Sequence, residues 1–443
     1  MADARGVRDA IAEASLAVHG NLPESAAHSA RPVGRFMVII VGGGPGGASA
    51  AYFLARRGID VVVLDRAHFP RDKTCSEYLS PQASRILSEM NALDEIEFTG
   101  AAKLSGMRVH APNGVTIHGA FAADHGFRGF TDHGVAVRRT ILDAILLDRA
   151  RTAGARVEEG VRVTDVVRDS SGRVTGIKSL DPDGKTEARR ADLVIGADGL
   201  RSVIARRLHL VRPARWPRRI ALVAHFTRVE GVADFGEMYV DRDGYFGVAR
   251  VGMAEFNVAL VVPVSRAAEI AVDRAEFLES WIAERPILAG MFARAIRIDE
   301  VRATGPFATS ARRAWVPGAA LVGDAAEFFD PFTGEGIYTA LRGGELLAAH
   351  VAEVIETPSE ESKILQRYEK ARRAEFSGKW KVEKLVGAAI AFPPLINRAA
   401  NVLAHRRDMA DLLVGVVGDF VPAREILRPG YLLSLLFSPT SHA

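Results

Sequence analysis

Three glycines near the start of the chain have the spacing of a phosphate-binding turn. Gly42, Gly44 and Gly47 match G-x-G-x-x-G, and Asp65 closes the next apolar run. In such a turn the first glycine forms the bend, the second lets backbone approach a pyrophosphate, and the third lets helix and strand pack closely. The acid would accept a hydrogen bond from a ribose hydroxyl. This motif predicts an adenine dinucleotide site and leaves FAD and NAD both open.

A second turn of this kind lies in the stretch "ADLVIGADGLRSVIARRL", residues 191–208. Gly196 and Gly199 would free the turn for close approach to a ligand, and Asp198 or Ser202 could cap the helix that follows. Taken alone, the stretch is equally compatible with an ordinary connection between a strand and a helix.

A third turn lies in "LVGDAAEFFDPFTGEGIYTALRGGELLAAH", residues 321–350. Asp324 follows a predicted strand, and Pro331, Gly334 and Gly336 precede a predicted helix over 337–354. The unsatisfied N–H groups at the start of that helix would stabilise an anion or an electron-rich ring. So many small residues in one loop indicate that backbone lies close to a bound group.

Short apolar runs predict the elements that position these turns. The first motif lies between strands at 36–41 and 60–64, with a helix from about 46 to 57. Further along, alternating and β-branched runs predict an antiparallel sheet with a turn at Asp243 and Gly244. Its strands are expected at 219–229, 237–241, 245–251 and 256–262. This sheet would cover the cofactor, with a pocket for a hydrophobic small-molecule substrate between the two.

The composition excludes several other kinds of site. The chain has 443 residues, and its 57 basic and 54 acidic side chains give a net charge of +3, too weak to recruit nucleic acid. The single cysteine, Cys75, excludes a disulfide framework and a thiolate cluster, and no other metal motif is found. No apolar run reaches the roughly 18 residues of a membrane span, and residues 1–35 do not resemble a signal peptide. We therefore expect a cytoplasmic protein without a metal.

The three turns, in this order, resemble the FAD-binding fold of the p-hydroxybenzoate hydroxylase type of flavoprotein and of the related geranylgeranyl reductases. "GADGLRS" is similar to the family's Asp-Gly motif, and "GDAAEFFDPFTGEGI" to its Gly-Asp motif with the Pro-x-x-Gly-x-Gly loop. "VRRTILDAILLDRARTAGARVEEGVRVTDV" resembles the family's linking segment. The resemblance covers residues 36–356. It implies an α/β fold in which a Rossmann-type, glutathione reductase-like FAD-binding domain is interwoven with an antiparallel β-sheet substrate domain and followed by a C-terminal helical region.

This resemblance also implies how the chain is divided. Residues 1–35 would be an N-terminal extension, and 36–210 the first part of the FAD-binding domain, with a small insertion near 75–130. The substrate-domain sheet would occupy 211–301. The second part of the FAD-binding domain would follow at 302–355, and the helical region at 356–443.

The resemblance further implies which residues hold FAD. Asp65 with Arg66 would bind the adenosine ribose, Asp198 would lie near the pyrophosphate, and Asp324 would bind the ribityl chain. Arg139 would contact the phosphates and the Val163 backbone the adenine, while the Pro331 loop would lie along the isoalloxazine ring. The full expected set is Gly42, Gly44, Pro45, Gly46, Gly47, Asp65, Arg66, Arg139, Val163, Asp198, Gly199, Gly323, Asp324, Pro331, Gly334, Glu335, Gly336 and Ile337.

Two reactions fit this resemblance. Our first hypothesis is an FAD-dependent monooxygenase of secondary metabolism that hydroxylates an apolar aromatic or polyketide-like molecule with NAD(P)H and O2. The alternative is an FAD-dependent reductase of prenyl-chain or other C=C bonds. "FPRDKTCSEYLS" and "PFTGEGI" favour this alternative, although Ser76 replaces a glycine and the reductases' Tyr-x-Trp-x-Phe-Pro segment is kept only at Tyr245. The halogenases' Trp-x-Trp-x-Ile-Pro is absent. A flavin-free prenyl binder, a third hypothesis, conflicts with the retained flavin motifs.

Several features leave alternatives open. Since no second G-x-G-x-x-G exists, NAD(P)H would bind transiently, or a protein donor would reduce the flavin. Cys75 would be an apolar filler near the ring, or else a redox or substrate-contact thiol. No spacing singles out a catalytic base among His110, His118, His125, His133 and His225. The C-terminal helices are interpreted as surface and core helices, with a lid or a peripheral membrane contact as the alternative. The oligomeric state stays open.

Overall fold

Residues 36–180, 183–213 and 218–438 are described by the structure, a computed structural model. The predicted N-terminal extension, residues 1–35, lies outside them. From residue 36 onward the chain packs as one unit. The cofactor and substrate parts are therefore interwoven within this unit and do not follow one another as separate units along the chain.

The described part of the chain forms strands and α-helices that are numbered in chain order. The strands are β1 Met37–Val41, β2 Asp60–Asp65, β3 Tyr78–Leu79, β4 Ala102–Leu104, β5 Gly106–His110, β6 Thr116–Ala120, β7 Gly134–Ala136, β8 Arg156–Glu159, β9 Arg162–Arg168, β10 Val174–Leu180, β11 Thr186–Arg190, β12 Leu193–Gly196, β13 Val211–Pro213, β14 Arg219–Thr227, β15 Gly236–Asp241, β16 Gly244–Arg250, β17 Glu255–Pro263, β18 Ile296–Arg297, β19 Arg302–Thr304, β20 Thr309–Ala311, β21 Trp315–Val316, β22 Ala319–Leu321 and β23 Glu327–Phe328. The helices are α1 Pro45–Ala55, α2 Ala83–Glu89, α3 Leu93–Phe98, α4 Arg139–Thr152, α5 Val203–Arg207, α6 Ala267–Val272, α7 Arg274–Ala283, α8 Pro286–Met291, α9 Gly336–Glu356, α10 Glu361–Ala391, α11 Pro393–His405, α12 Arg407–Val417, α13 Arg424–Leu427 and α14 Pro429–Phe437.

A six-stranded sheet with the order β21-β22-β12-β1-β2-β8 carries the three predicted turns. β1 pairs in parallel with β2 on one side and with β12 on the other, and β22 lies parallel to β12. Four of the five residues of β1 are buried, because the faces of a parallel sheet are covered by helices. α1 packs against α4 and α9. The predicted Rossmann-type layer is confirmed.

A second sheet has the order β18-β14-β17-β16-β15-β5-β6, with β19 also paired to β14. The four predicted strands are present as β14 to β17, and the turn between β15 and β16 lies at Arg242 and Asp243, one residue before the predicted Asp243 and Gly244. β5 and β6, from the segment predicted as an insertion, extend this sheet, and β5 pairs with β15 in parallel. β19 lies just beyond residue 301, in the segment assigned to the FAD-binding domain. These strands escaped prediction because they are short and carry no apolar run.

The second sheet has two apolar faces, because successive side chains of a strand point to opposite sides. Leu222, Phe246 and Leu260 lie on one face, in a core with Trp281 of α7. The opposite face borders a cavity next to the first sheet.

Helices α10 to α14 form the predicted C-terminal helical region. Ile390 and Ile396, at the corner between α10 and α11, pack with Val261 and Phe307 of the cavity wall. Within the described residues, no single helix has both the length and the apolar character of a bilayer span. Pro358–Ala391 and Pro393–His405 meet both criteria only when taken together, and they are bent by 112°.

Candidate active site

The three glycine-containing turns meet at one edge of the first sheet. They follow β1, β12 and β22, which are adjacent parallel strands whose carboxyl ends lie together. Gly42 has φ +105°, and a Cβ there would lie 2.4 Å from the Ala197 carbonyl oxygen of the second turn. A Cβ on Gly47 would lie 1.9 Å from the Gly42 oxygen. The first two turns therefore interlock so closely that only glycine fits.

One cavity of about 1330 Å³ joins the three turns to the second sheet. This volume exceeds the roughly 300–1,000 Å³ of a usual small-molecule site, which leaves room for a dinucleotide and a substrate together. Of the predicted residues, those that line it are Gly42, Gly44, Pro45, Gly46, Asp65, Arg66, Arg139, Val163, Asp198, Gly199, Gly323, Asp324, Pro331, Gly334, Gly336 and Ile337.

Two predicted residues do not line the cavity. Gly47 is buried against the Gly42 backbone, so it serves packing rather than ligand contact. Glu335 is buried behind the loop, where its carboxylate lies 3.9 Å from the Lys379 ammonium of α10. Burial raises the pKa of Glu335 above its ordinary value, and the Lys379 charge opposes this shift. Glu335 was predicted from its place in the motif, which does not show where its side chain points.

Two guanidinium groups flank the first turn. Arg139, at the start of α4, donates from Nε and Nη2 to the buried Asp143 carboxylate, both at 2.8 Å, and Arg71 lies 3.0 Å from the same carboxylate. Burial alone would lower the pKa of Arg139, but Asp143 and Cys75 raise it above its ordinary value. A Cβ on Gly44 would lie 3.3 Å from Arg71 and 3.9 Å from Arg139. Both cations are therefore available to a pyrophosphate over the turn.

The two acids of the first and second turns stabilise the turns themselves. Asp65 accepts hydrogen bonds from Gly43 N–H at 2.8 Å and Ala67 N–H at 2.9 Å. Asp198 accepts from the Ser202 hydroxyl and from Val203 N–H, both at 2.6 Å. Each carboxylate keeps further lone pairs for a ligand.

The predicted helix cap of the second turn is present in two parts. Ser202 accepts a hydrogen bond from Ala205 N–H at 2.9 Å, and Asp198 binds the first turn of α5. Burial raises the pKa of Asp198, and its hydrogen bonds to Ser202 and Val203 oppose this shift. The second turn is thus rigid before any ligand arrives.

The third turn presents an acceptor that lacks a donor. Among the described residues, no hydrogen bond reaches the Asp324 carboxylate. Burial raises the pKa of Asp324, while the charges of Lys73 and Arg139 lower it. The Lys73 ammonium lies 3.8 Å from the Cβ position of Gly199, so it stands between the second and third turns. A ribityl hydroxyl would supply the missing donor to Asp324.

Sequence reasoning missed Arg71 and Lys73. Both lie in "FPRDKTC", directly after the carboxyl end of β2, which is the edge at which ligands of parallel sheets bind. Two basic residues close together after such a strand end could have indicated a site for an anionic ligand.

The glycine cradle, the two guanidinium groups and the open Asp324 acceptor fit the parts of FAD in order along the cavity. The turn after β1 suits the pyrophosphate, Asp324 suits the ribityl chain, and the backbone around Gly334, with φ +71°, suits the flat ring.

The substrate half of the cavity is mostly apolar, with Glu237 and Asn257 as polar exceptions, and it is joined to the third turn by hydrogen bonds. The Tyr245 hydroxyl and Arg219 Nη1 each donate at 2.5 Å to Asp330, which directly precedes Pro331. Nearby on the same face, the strands contribute mostly small or apolar side chains. Those that line the cavity are Ala221, Val223, Met238, Gly247, Ala249, Ala259 and Val261.

None of the five histidines considered as bases lines the cavity. His209, which the sequence analysis did not consider, does. His225 is buried, and both of its ring nitrogens are hydrogen-bonded to carboxylates. The interpretation that its hydrogen bonds are satisfied within the protein therefore holds for this histidine.

A Rossmann-type sheet and a second sheet that enclose one cavity, with three converging turns, define an FAD-dependent oxidoreductase of the p-hydroxybenzoate hydroxylase fold. This chain belongs to the FAD binding domain family, whose model matches residues 35–379.

Relatives and solved structures agree with this family. Digeranylgeranylglycerophospholipid reductase 2 of Methanopyrus kandleri is 30% identical over 395 residues, which cover 87% of this chain and 94% of the relative. Menaquinone reductase of Mycobacterium tuberculosis is 28% identical over 421 residues, covering 87% and 91%. A probable FAD-dependent monooxygenase of Pseudomonas aeruginosa, pqsL, superposes with a TM-score of 0.64 at 22% identity, covering 81% and 98%. This last likeness shows the fold alone.

Proposed function

We propose that this chain is an FAD-dependent reductase of carbon–carbon double bonds in an isoprenoid lipid. The observation that carries the proposal is the apolar half of the cavity, where small side chains of the second sheet leave room for a long unsaturated chain. The reductases named above align with 87% of this chain, which supports the same class of reaction.

The residues of the chain would supply binding, orientation and exclusion of water. Arg71 and Arg139 would hold the pyrophosphate, and Asp324 would accept a hydrogen bond from the ribityl chain. FAD, when bound in its reduced form FADH2, would supply the hydride and the proton that saturate one double bond and would be left as oxidised FAD. The apolar wall around Ala259 and Val261 would keep water from the reacting carbons.

Hydroxylation of an aromatic or polyketide-like molecule is the second candidate. The observation in its favour is the fold, which is shared with a probable FAD-dependent monooxygenase. Hydroxylation of a phenol is helped by a base beside the substrate. The five histidines considered for that role lie outside the cavity lining, whereas His209 lies within it.

Product analysis under nitrogen separates the two candidates. The protein would be loaded with FAD, reduced chemically, and mixed with a geranylgeranyl glycerolipid, with the fully saturated lipid as the matched control. We expect mass spectrometry to show hydrogen atoms added in pairs to the unsaturated lipid only. A product that forms only in air and carries one added oxygen atom would instead establish the monooxygenase. Replacing the chemical reductant by NADPH or NADH tests the expected electron donor.

A further inference from the structure

Glu77 has a backbone conformation that its side chain does not favour. It is fully buried and has φ +61°, in the left-handed region that glycine, asparagine and aspartate occupy most easily. A glutamate stays in this conformation only where its surroundings hold it, and such residues concentrate at functional sites. The contacts of Glu77 therefore indicate what its conformation serves.

Three donors hold the Glu77 carboxylate. The Arg139 N–H donates at 2.7 Å, His225 Nε2 lies at 2.7 Å, and Asn257 Nδ2 donates at 3.2 Å. On its other side, His225 Nδ1 lies 2.7 Å from Asp299, whose carboxylate also accepts from the His225 N–H at 2.8 Å. With a carboxylate at each ring nitrogen, His225 is held as an imidazolium.

The charge of His225 is consistent with its surroundings. Burial lowers the pKa of His225, but hydrogen bonds to Asp299 and Glu77 outweigh burial and raise it to about 9. The other charged groups of this cluster lie beyond Asp299: Arg138 at 3.2 Å, and Arg302 at 3.8 Å. Asp72 pairs with both of these arginines, and Glu255 lies 3.1 Å from Arg138.

This cluster stands directly behind the cavity wall. The Glu77 N–H, turned by the left-handed backbone, donates to Cys75 Sγ at 3.3 Å. Asn257 Nδ2 donates to the Cys75 carbonyl at 3.0 Å. Cys75, Asn257 and Arg139 line the cavity, whereas Glu77 and His225 do not. Cys75 is therefore joined to the substrate sheet through Asn257 and to the cofactor half through Glu77 and Arg139.

We propose that His225 is a positioning residue that, through Glu77, fixes the Cys75 thiol beside Arg139 at the boundary between the cofactor half and the substrate half of the cavity. His225 binds the carboxylate, the carboxylate fixes the left-handed backbone, and the backbone N–H orients the thiol. This inference rests on the FAD site and not on whether the reaction is reduction or hydroxylation.

The chain has a single cysteine, so thiol modification reports on this position without background. We would measure the rate of Cys75 alkylation by N-ethylmaleimide in FAD-free protein, well below the melting temperature. In His225→Gln, the loss of a charge-assisted hydrogen bond should free the loop and raise the alkylation rate about tenfold. Glu77→Gly accommodates the left-handed backbone but removes the carboxylate, and it should give a similar increase.

A double variant tests whether His225 acts through Glu77. If it does, His225→Gln adds almost nothing in the Glu77→Gly background, because coupled residues are not additive. Multiplicative increases in the double variant would overturn the proposal. So would alkylation rates within about twofold of wild type in both single variants.

A matched control and a second measurement exclude a merely structural role. His110 also binds a carboxylate, Glu237 at 2.8 Å, and the other side-chain hydrogen-bond partners of this pair are Thr116 and Arg108. His110→Gln should leave the Cys75 alkylation rate unchanged. After FAD is added, the visible absorption bands of the flavin should shift in His225→Gln and not in His110→Gln. If His225→Gln lowers the melting temperature but leaves both Cys75 alkylation and the flavin bands unchanged, the role is structural and the proposal fails. Should His225→Gln not fold, the alkylation rate of Glu77→Gly decides alone.

Discussion

The two halves of the cavity are built in different ways. In the cofactor half, three turns bring backbone to the cavity, and the spaces are so narrow that glycine is required at Gly42 and Gly47. In the substrate half, side chains of a twisted sheet form the wall, and buried pairs such as Arg219 with Asp330 tie it to the cofactor half. The first half is specified by short motifs, whereas the second depends on residues that are distant in the sequence.

This difference predicts which property, flavin binding or substrate kinetics, a substitution in each half should change. A change in the cofactor half should abolish or weaken flavin binding whatever the substrate is. A change in the substrate half should alter the kinetics of the substrate while FAD binding stays intact.

The largest effect is expected for Gly42→Ala. The added methyl group would lie 2.4 Å from the Ala197 oxygen and 3.0 Å from the Asp198 Cα, and the interlocked turns could not both be kept. We expect the purified variant to contain no flavin or not to fold. The control is Gly172→Ala, where φ is +84° but nothing lies within 4 Å of the new Cβ. It should lose only about 1 kcal/mol of stability and keep its flavin, as measured by absorbance and denaturant titration.

Arg139→Met should weaken both FAD binding and the fold. Of the ion-pair partners that the fully buried Asp143 has among the described residues, the variant leaves only Arg71. Removal of one member of a buried ion pair costs about 3–5 kcal/mol, and the remaining Arg71 should bring the cost to the lower end. We expect calorimetry to show a large loss of thermal stability and a rise in the FAD dissociation constant of about one hundredfold. Unchanged FAD affinity would show that Arg139 does not bind the cofactor.

Lys73→Met should lower the affinity for FAD more than it lowers the stability of the fold. Burial lowers the pKa of Lys73, and the charge of Asp324 opposes this shift. Because the ammonium is partly desolvated and has no hydrogen-bond partner within the described part of the chain, its loss should cost little stability. The affinity for FAD should nevertheless fall about tenfold, as one charge-assisted contact is lost. A large drop in thermal stability with unchanged FAD affinity would assign Lys73 to the fold instead.

Ala259→Leu tests the substrate half. Three added carbon atoms would fill the cavity wall beside Val261, and we expect the KM for an isoprenoid lipid to rise about tenfold, since a misfit of one or two methylenes costs roughly 1–3 kcal/mol. The FAD dissociation constant should stay within twofold of wild type. Ala293→Leu, at an exposed alanine outside the cavity, is the matched control. A loss of FAD binding in Ala259→Leu would show that the two halves are not separable.

The smallest effect is expected for the pH dependence of stability that His225 contributes where the two halves of the cavity meet. The pKa of His225 is raised from its ordinary value of 6.5 to about 9. The stabilisation by its charged form is therefore complete below pH 6.5 and is lost as the pH rises through 9. The melting temperature of wild type should exceed that of His225→Gln at pH 7, and the gap should shrink by pH 10. A gap that is constant over this range would show that His225 is not charged in the native protein.

The sequence predicted that three turns meet in the cofactor half, although it missed Arg71 and Lys73. Gly42, Asp198 and Gly334 lie on separate stretches, yet each belongs to a strand–turn–helix pattern, and the carboxyl ends of adjacent parallel strands must meet. The backbone geometry of such turns is local, so short motifs are sufficient to predict it.

The contacts across the cavity could not be predicted in the same way. Glu77 and His225 are 148 residues apart in the sequence, and nothing local to either residue indicates the other. β5 pairs in parallel with β15 of the second sheet, and no turn motif in the sequence indicates this pairing. Glu335 follows the expected motif, but its side chain is buried beside Lys379, because the packing of α10 determines its direction.

Anaerobic reoxidation of the bound flavin tests the central claim most directly. The protein would be reduced under nitrogen with one equivalent of dithionite and mixed with an unsaturated isoprenoid lipid while the visible flavin bands are followed. The account predicts that the oxidised bands return without oxygen, in proportion to the double bonds reduced, and that the saturated lipid has no effect. Bands that stay bleached until air is admitted, whatever lipid is present, would contradict it.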